Sequence, residues 1–451
     1  MRVGRVALIG DNSIKYIEML INIWNDHDCA VLYNWQIPVM TIIEMMKEAN
    51  VYKCVIQRNF WKEEYGQVIS NIEIVLYDKN DDNVPQYLPD FIYNAFNANY
   101  TKEEAVILYS SGTTGRSKGI ILSHYAINTN ADAIIDYMNL QEEDCIYLVK
   151  TLSHASTLTG ELLVALKTHI KLLIAPIIVP PRYVLSNINK FHVTIIGLNP
   201  TLLIFLLDAF QHFGYNLTSL RIIYVSGEIL NDKIYLQAYK TLHNIAIYNV
   251  YGLTEAGPRV TAQRHGCCKS NSVGKPIKGV DVLVITEQGK IATIGEEGIV
   301  HIKTPSLYSG YITSSVERKS LYQDWYNTGD LGFIDHNNEL HISGRIDDMI
   351  IFESHKIYPC EIEALIIESL PVSECVILKV EFKDKEIIGC LYNTNQDINI
   401  DIRSELKKRL PSYEIPRIYI RCKKLPYSTN GKLLRSEAKK ILIKAMEEKY
   451  E

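Results

Sequence analysis

No apolar run in this chain is long enough to span a bilayer; the most apolar stretch, Leu172 to Pro181, is brief and broken by prolines. CxxC pairs are missing too. The nine cysteines are scattered apart from Cys267-Cys268, so neither a zinc ribbon nor a disulfide framework is suggested. Reduced thiols in a cytoplasmic protein are the simplest account. Excess positive charge is absent: 47 Lys and Arg against 52 Asp and Glu leave −5, which gives no reason to expect nucleic acid or an anionic membrane as partner. Internal repeats and low-complexity tracts are not found. Phenylalanine is scarce, 10 beside 29 tyrosines, a bias that carries no functional reading by itself. The first apolar stretch stops at Gly10-Asp11-Asn12, too short for a signal h-region, and reads as a strand.

What remains is an ordinary globular composition, 47% apolar and 22% charged over 451 residues, enough for two or more domains. Strand and helix patterns alternate from the start. Residues 5–9 read as a strand, 13–25 as a helix capped by Asn12 or Ser13, and Cys29–Tyr33 as a strand. A helical pattern through Thr41–Glu48 and a strand at Lys53–Gln57 follow. Residues 78–102 read as a loop. After a helix from Ser123 to Met138, strands fit at Cys145–Val149, Lys171–Ala175, Val193–Gly197, Arg221–Val225 and Ile245–Val250. Helices fit between them at 157–168, 181–190, 200–211 and 231–243. This alternation predicts parallel βαβ units. From residue 270 short strands separated by Gly, Asn and Asp predict a small β unit. The last 105 or so residues predict a compact α+β domain with helices at Cys360–Ser369, Ile402–Arg409 and Arg435–Lys449. The fold class is therefore α/β, a large N-terminal domain of mixed, mostly parallel sheets flanked by helices plus a small β unit, then a small α+β C-terminal domain.

The chain's most unusual stretch is Tyr109-Ser110-Ser111-Gly112-Thr113-Thr114-Gly115-Arg116-Ser117-Lys118-Gly119, directly after the apolar run Ala105–Tyr109. Small hydroxyl residues and glycines cannot build a core, but they can bring N–H and O–H groups around an anion. Lys118 adds a cation. It is not a Walker loop, since Arg116-Ser117 separates Gly115 from Lys118. Two readings stand at this point, a polyphosphate cradle and a plain Ser/Gly turn between strands. Ser226-Gly227-Glu228 and Tyr251–Glu255 also follow predicted strands, which is where open α/β sheets bind ligands.

Five motifs in order make a resemblance specific: Tyr109–Gly119, Tyr251-Gly252-Leu253-Thr254-Glu255, Tyr326-Asn327-Thr328-Gly329-Asp330-Leu331-Gly332, Gly344-Arg345-Ile346-Asp347-Asp348, and Pro426 through Lys432. The chain resembles the adenylate-forming superfamily of acyl-CoA synthetases, nonribosomal-peptide adenylation domains and luciferases, nearest to aryl- or acyl-acid ligases. The resemblance implies that ATP and Mg2+ activate a carboxylic acid to an acyl-AMP with release of pyrophosphate. The acyl group then passes to a thiol, of coenzyme A or of a carrier-protein phosphopantetheine.

Residue by residue, it implies that Ser110, Ser111, Gly112, Thr113, Thr114, Gly115 and Lys118 hold the β- and γ-phosphates. Glu255 would be the magnesium ligand, a hard oxygen for a hard cation, and Thr254 would meet the α-phosphate. Tyr251 would lie against adenine, with Ser226, Gly227 and Glu228 lining the same pocket. Asp330 would accept from both ribose hydroxyls, assisted by Arg345. Lys432 matches the lysine that bridges the substrate carboxylate and α-phosphate, where a cation stabilises developing charge. Asp347 falls at the hinge between residues 1–344 and a mobile C-terminal domain, 345–451. Singly, each has a duller reading: Asp330 as a turn cap, Glu255 on a solvated face, Tyr251 in the core.

His154 falls where acyl- and aryl-acid ligases carry a gating histidine, and Ser156, Asn199, Pro200 and Gly252 would form the acid pocket; His154 could equally be packed at a helix start. Amino-acid-activating relatives have an aspartate at this point, and no acidic residue occurs between Asp144 and Glu161. A buried ammonium without a counter-charge is costly, so an aryl or fatty acid is favoured over an amino acid. Ser354 stands where relatives have the glycine of Gly-x-Lys-Ile that admits the pantetheine arm, which bears on the thiol-transfer half. The expected partners are a small carboxylic acid and, as an alternative acceptor to coenzyme A, an acyl or aryl carrier protein. Rival readings are adenylation with transfer to another nucleophile, and a non-catalytic ATP-binding relative. The presence of Lys432, Glu255 and Asp330 argues against the second.

Overall fold

The computed structural model describes residues 3–68, 72–79, 85–110, 118–175, 180–230, 232–264, 272–312, 324–352, 355–383, 385–394, 401–427 and 433–450. Packing divides the chain into two compact units. One comprises residues 1–283, 301–328 and 335–340, the other residues 284–300, 329–334 and 341–451.

The larger unit is built on two mixed sheets. In the first, Arg5–Ile9 lies near the centre because four of its five residues are fully buried apolar side chains. Cys29–Tyr33, buried at every position, pairs parallel on one side, and Lys53–Gln57 pairs parallel on the other. Continuous burial without alternation is what a strand covered on both faces requires. Glu104–Ser110 extends the sheet in parallel, and Glu73–Tyr77, a strand the sequence pattern did not disclose, closes the far edge. Beyond Glu104–Ser110 the direction reverses: Lys118–Ser123 and then the two-residue strand Gly310–Tyr311 pair antiparallel.

The second sheet runs in the order Lys275–Pro276, Arg259–Ala262, Ala246–Gly252, Ile222–Val225, Ile195–Leu198, Cys145–Leu148, Lys171–Ile174 and Gln86–Tyr87. Its five central strands are parallel and its edges antiparallel. The 78–102 stretch, read as a loop, thus contributes a short edge strand and a helix, Asp90–Ala95.

Helices begin where polar caps precede apolar periodicity. Ser13, not Asn12, caps Ile14–Asn25 by accepting from Tyr16 N at 3.1 Å. Asn12 is instead buried and ties two loops together, donating to Lys150 O at 2.8 Å and accepting from Leu152 N at 3.0 Å. Asn199 caps Pro200–Phe213, with proline at the first turn and Gly214 in the left-handed region at its end. The predicted 157–168 helix carries an internal irregularity, a π-helical segment at Leu158–Leu163, a form that recurs at functional sites. Among the described residues, no helix is long and apolar enough to cross a membrane.

The smaller unit is α+β as expected. Glu374–Phe382 pairs antiparallel with Lys385–Asn393, which pairs parallel with Ile418–Arg421. Successive residues Val376 and Ile377 are both fully buried, because helices cover both faces. Ile362 and Ile366 of Pro359–Ser369 pack in one core, Ala438, Leu442 and Met446 of Arg435–Tyr450 in the other. The latter spacing of four presents one helical stripe. The short strands predicted from residue 270 onward include a four-stranded sheet, ordered Asp281–Ile285, Gly298–Lys303, Tyr326–Ile334 and Leu340–Arg345, whose residues are divided between the larger and the smaller unit.

Candidate active site

The predicted residues fall into three groups. The first surrounds Glu255. Strand Ala246–Gly252 ends in a bulge at Tyr251 and Gly252, where Gly252 faces Arg259. A Cβ on Gly252 would stand 2.0 Å from Pro258 O, so only glycine admits this close return of the chain. Leu253 N donates to Pro258 O at 3.0 Å, and Thr254–Ala256 then form a 3-10 turn that projects Glu255.

The segment after Ser306 fastens to the same place. Tyr308 N donates to Glu255 O at 2.8 Å, Ser309 N to Ile121 O and Ile312 N to Gly119 O. A side chain at position 119 would strike Ile312. Tyr311, thus fixed beside strand Lys118–Ser123, donates its hydroxyl to Glu255 Oε1 at 3.0 Å and lies 3.3 Å from the Tyr326 hydroxyl. The Lys118 ammonium sits 5.8 Å from the centre of the same ring. Burial pushes the Tyr311 phenol up, and the neighbouring Glu255 charge pushes it further, so it remains a donor. Glu255 and Lys118, 137 positions apart, therefore share one tyrosine.

A magnesium ion accompanying ATP takes much of its coordination from phosphates and water. A half-buried carboxylate with one oxygen held by a neutral phenol, beside a lysine, suits that role. Ser226 extends the strand ladder through its N–H to Leu198 O at 3.0 Å, and Gly227 adopts a φ of 104° at the exposed turn, with Glu228 half-buried behind it. Ser110 ends its strand opposite Lys118. Ser111, Gly112, Thr113, Thr114 and Gly115 lie outside the described residues, as do Lys432 and Ser354.

The second group is the set predicted for the acid pocket, which lies on two separate helix starts. His154 stands at the start of the short helix Ala155–Thr157, where its Nδ1 accepts from Ser156 N at 3.3 Å and lies 2.9 Å from Ser156 Oγ. The Asn199 side chain caps its helix by accepting from Leu202 N at 2.7 Å, and Pro200 is buried beside it.

The third group lies in the smaller unit. Arg345 Nη1 donates to Asp330 Oδ1 at 2.9 Å, while Nη2 lies 3.5 Å from Asp347 Oδ2. Gly329 turns with a φ of 73°, and a Cβ there would crowd Arg345 at 3.1 Å. Asp330 is buried and Asp347 half-exposed. In this unit Arg435 binds Glu363 at 3.0 Å and Asp348 at 3.5 Å, while Tyr427 pairs with Leu433 across the segment that carries Lys432.

Sequence reasoning missed a buried ion cluster beside the second group. Lys150 Nζ lies 3.2 Å from Glu161 Oε1 and 3.4 Å from Ser156 Oγ. Tyr224 donates its hydroxyl to Glu161, and Arg259 donates to the Tyr137 hydroxyl at 2.6 Å. Lys150 and Arg259 each stand 5.0 Å from the centre of the Tyr224 ring. Burial pulls the Lys150 pKa down, with Glu161 opposing, and pushes the Glu161 pKa up, with Lys150 opposing. The one clue in the sequence is a lone carboxylate, Glu161, inside the apolar helical run 158–166.

The profile of the AMP-binding enzyme family matches residues 2–312. The chain belongs to that family, and within the adenylate-forming superfamily it stands near the acyl- and aryl-acid ligases. It is 26% identical to 4-coumarate–CoA ligase 4 of Arabidopsis thaliana over 73% of its length, a match that spans 60% of that relative. To 2-succinylbenzoate–CoA ligase of Bacillus cytotoxicus it is 26% identical, over 97% of this chain and 88% of the relative. An anthranilate CoA ligase solved with anthranoyl-AMP superposes with a TM-score of 0.84 at 21% identity, over 99% of this chain and 90% of that one, and shares the fold.

Proposed function

We propose that this protein is an AMP-forming acid–thiol ligase, which joins a carboxylic acid to ATP as an acyl-AMP and passes the acyl group to a thiol. The observation that carries the reading is Glu255, held by Tyr311, whose ring the Lys118 ammonium also approaches. Lys118 offsets charge on the β- and γ-phosphates, the hydroxyls of Ser110, Ser111, Thr113 and Thr114 donate to them, and Thr254 orients the α-phosphate. Magnesium, when bound, screens phosphate charge so that a carboxylate can approach; Glu255 is its protein ligand. Asp330, braced by Arg345, accepts from the ribose, and Tyr251 with Ser226, Gly227 and Glu228 flanks adenine. Lys432 bridges the attacking carboxylate and the α-phosphate. Residues 345–451 form the mobile domain, swinging about Asp347 between the two half-reactions.

His154, Ser156, Asn199, Pro200 and Gly252 border the acid, an aryl or aliphatic one. Relatives named as CoA ligases of coumarate and succinylbenzoate support coenzyme A as acceptor. A carrier-protein phosphopantetheine is the alternative. The seven described cysteines are free thiols, which supports a cytoplasmic setting. The test is product analysis with ATP, magnesium, coenzyme A and a panel of acids. AMP, pyrophosphate and acyl thioester in equal amounts are expected; ADP and phosphate, or no acid dependence, would overturn the reading.

A further inference from the structure

The Lys150–Glu161–Arg259 cluster has an unbalanced charge. Arg259 is a permanent cation. Lys150 and Glu161 can trade a proton, but ammonium with carboxylate and amine with carboxylic acid have the same sum. Tyr224 and Tyr137 stay neutral, because burial pushes both phenols up. The cluster therefore keeps one net positive charge whichever partner holds the proton. The groups that act most strongly on Lys150 and Glu161 are each other, Arg259 and Tyr224. A buried surplus of this kind is costly unless an anion meets it.

The cluster has one accessible corner. Glu161 is fully buried and Arg259 nearly so, whereas 12% of the Lys150 side chain is exposed, and its ammonium touches Ser156. Of the three charged groups, Lys150 is the one in contact with the His154–Ser156 turn. Behind it the space is filled. A Cβ on Gly197 would meet the Tyr224 hydroxyl at 2.2 Å and Glu161 at 2.6 Å, and one on Gly160 would meet Arg259 at 3.3 Å. An acid bordered by Ser156 would have the Lys150 amino group within reach of that hydroxyl, backed by polar side chains. That end suits an acceptor anion and opposes a hydrocarbon tail.

We infer that Lys150 binds a second carboxylate on the substrate, so that the pocket selects short dicarboxylic acids, aliphatic or aromatic, over monocarboxylic acids of equal length and over long-chain fatty acids. The inference rests on reading His154 and Ser156 as the border of the acid pocket. The buried Glu161 and Arg259 act through Lys150 by fixing its place and its charge.

The test is acid-dependent exchange of labelled pyrophosphate into ATP with matched pairs: butanoate and succinate, pentanoate and glutarate, benzoate and isophthalate, with palmitate added. In the wild type the dicarboxylic member of at least one pair should lead in kcat/KM by tenfold or more. Lys150→Met should cut that ratio by about 10- to 100-fold, as expected for losing a hydrogen bond to a charged group. Lys150→Arg should keep part of it. A wild type that prefers the monocarboxylic member of every pair, or palmitate, would overturn the inference while leaving acid activation standing; this arm needs no variant to fold. A preference untouched by Lys150→Met would also overturn it. Exchange with no acid at all would remove the activation reading and this inference with it.

Discussion

Replacing Glu161 by glutamine tests the cluster's charge directly. The wild-type sum is two cations and one carboxylate, +1; Glu161→Gln makes it +2, Lys150→Met makes it 0, and the double variant returns it to +1. Glutamine keeps the shape and can still accept from Tyr224, so the loss is mainly charge. Breaking a buried pair by removing one partner costs about 3–5 kcal/mol. For a unit of this size, at about 2 °C per kcal/mol, the thermal midpoint should fall by roughly 6–10 °C. The second substitution should rescue the first, because it removes the cation left without a partner. The Lys150 pKa is held below its usual 10.5, so the stability this group contributes is full above 10.5 and is lost as pH falls through the folded value. Losing Glu161 lowers that folded value further, and the gap between variant and wild type should narrow in alkaline buffer. The assay is a set of melts of the four proteins at neutral and alkaline pH. Additive single effects, or a double variant less stable than Glu161→Gln, would refute the charge argument.

Three further outcomes follow from the site. Glu255→Gln should shift the magnesium titration of exchange to higher concentration and lower the rate by roughly 10²–10³, on the scale of losing one transition-state charge contact; an unchanged titration would exclude the ligand role. Tyr311→Phe removes one hydrogen bond to that carboxylate, so it should shift the same titration in the same direction and cost roughly tenfold. Lys432→Ala should lose about 10²–10³ in pyrophosphate exchange yet retain most of its rate from supplied acyl-AMP to thioester, and Asp347→Pro should show the reverse pattern. Equal slowing of both halves by Lys432→Ala would count against domain alternation.

Much of the framework was legible because burial leaves a plain mark. The apolar run Ala105–Tyr109 is a sheet strand, and the strand before Ser226 ends at Val225 as its pattern predicts, whereas the one before Thr254 runs two residues past the expected Val250, to Gly252. The pairing of Asp330 with Arg345 was legible only through motif order. Tyr311 was not, because a two-residue strand has no periodicity, and its place is set by antiparallel pairing with residues nearly two hundred positions earlier. The ion cluster was hidden for a related reason. Lys150 at a strand end reads as solvated and Arg259 as the flank of a motif; only packing of the Leu158–Leu163 segment against two strands brings them to Glu161. The strand Glu73–Tyr77 escaped because it is an edge, with Glu73 exposed and its next three residues only partly buried.

The account turns on an acyl-AMP formed before any thiol takes part. The most direct measurement is exchange of labelled pyrophosphate into ATP with magnesium and a responsive acid, in the complete absence of thiol. Exchange that depends on the acid and proceeds without coenzyme A is the expected result. Exchange that requires the thiol, or label that never enters ATP although thioester forms, would contradict it.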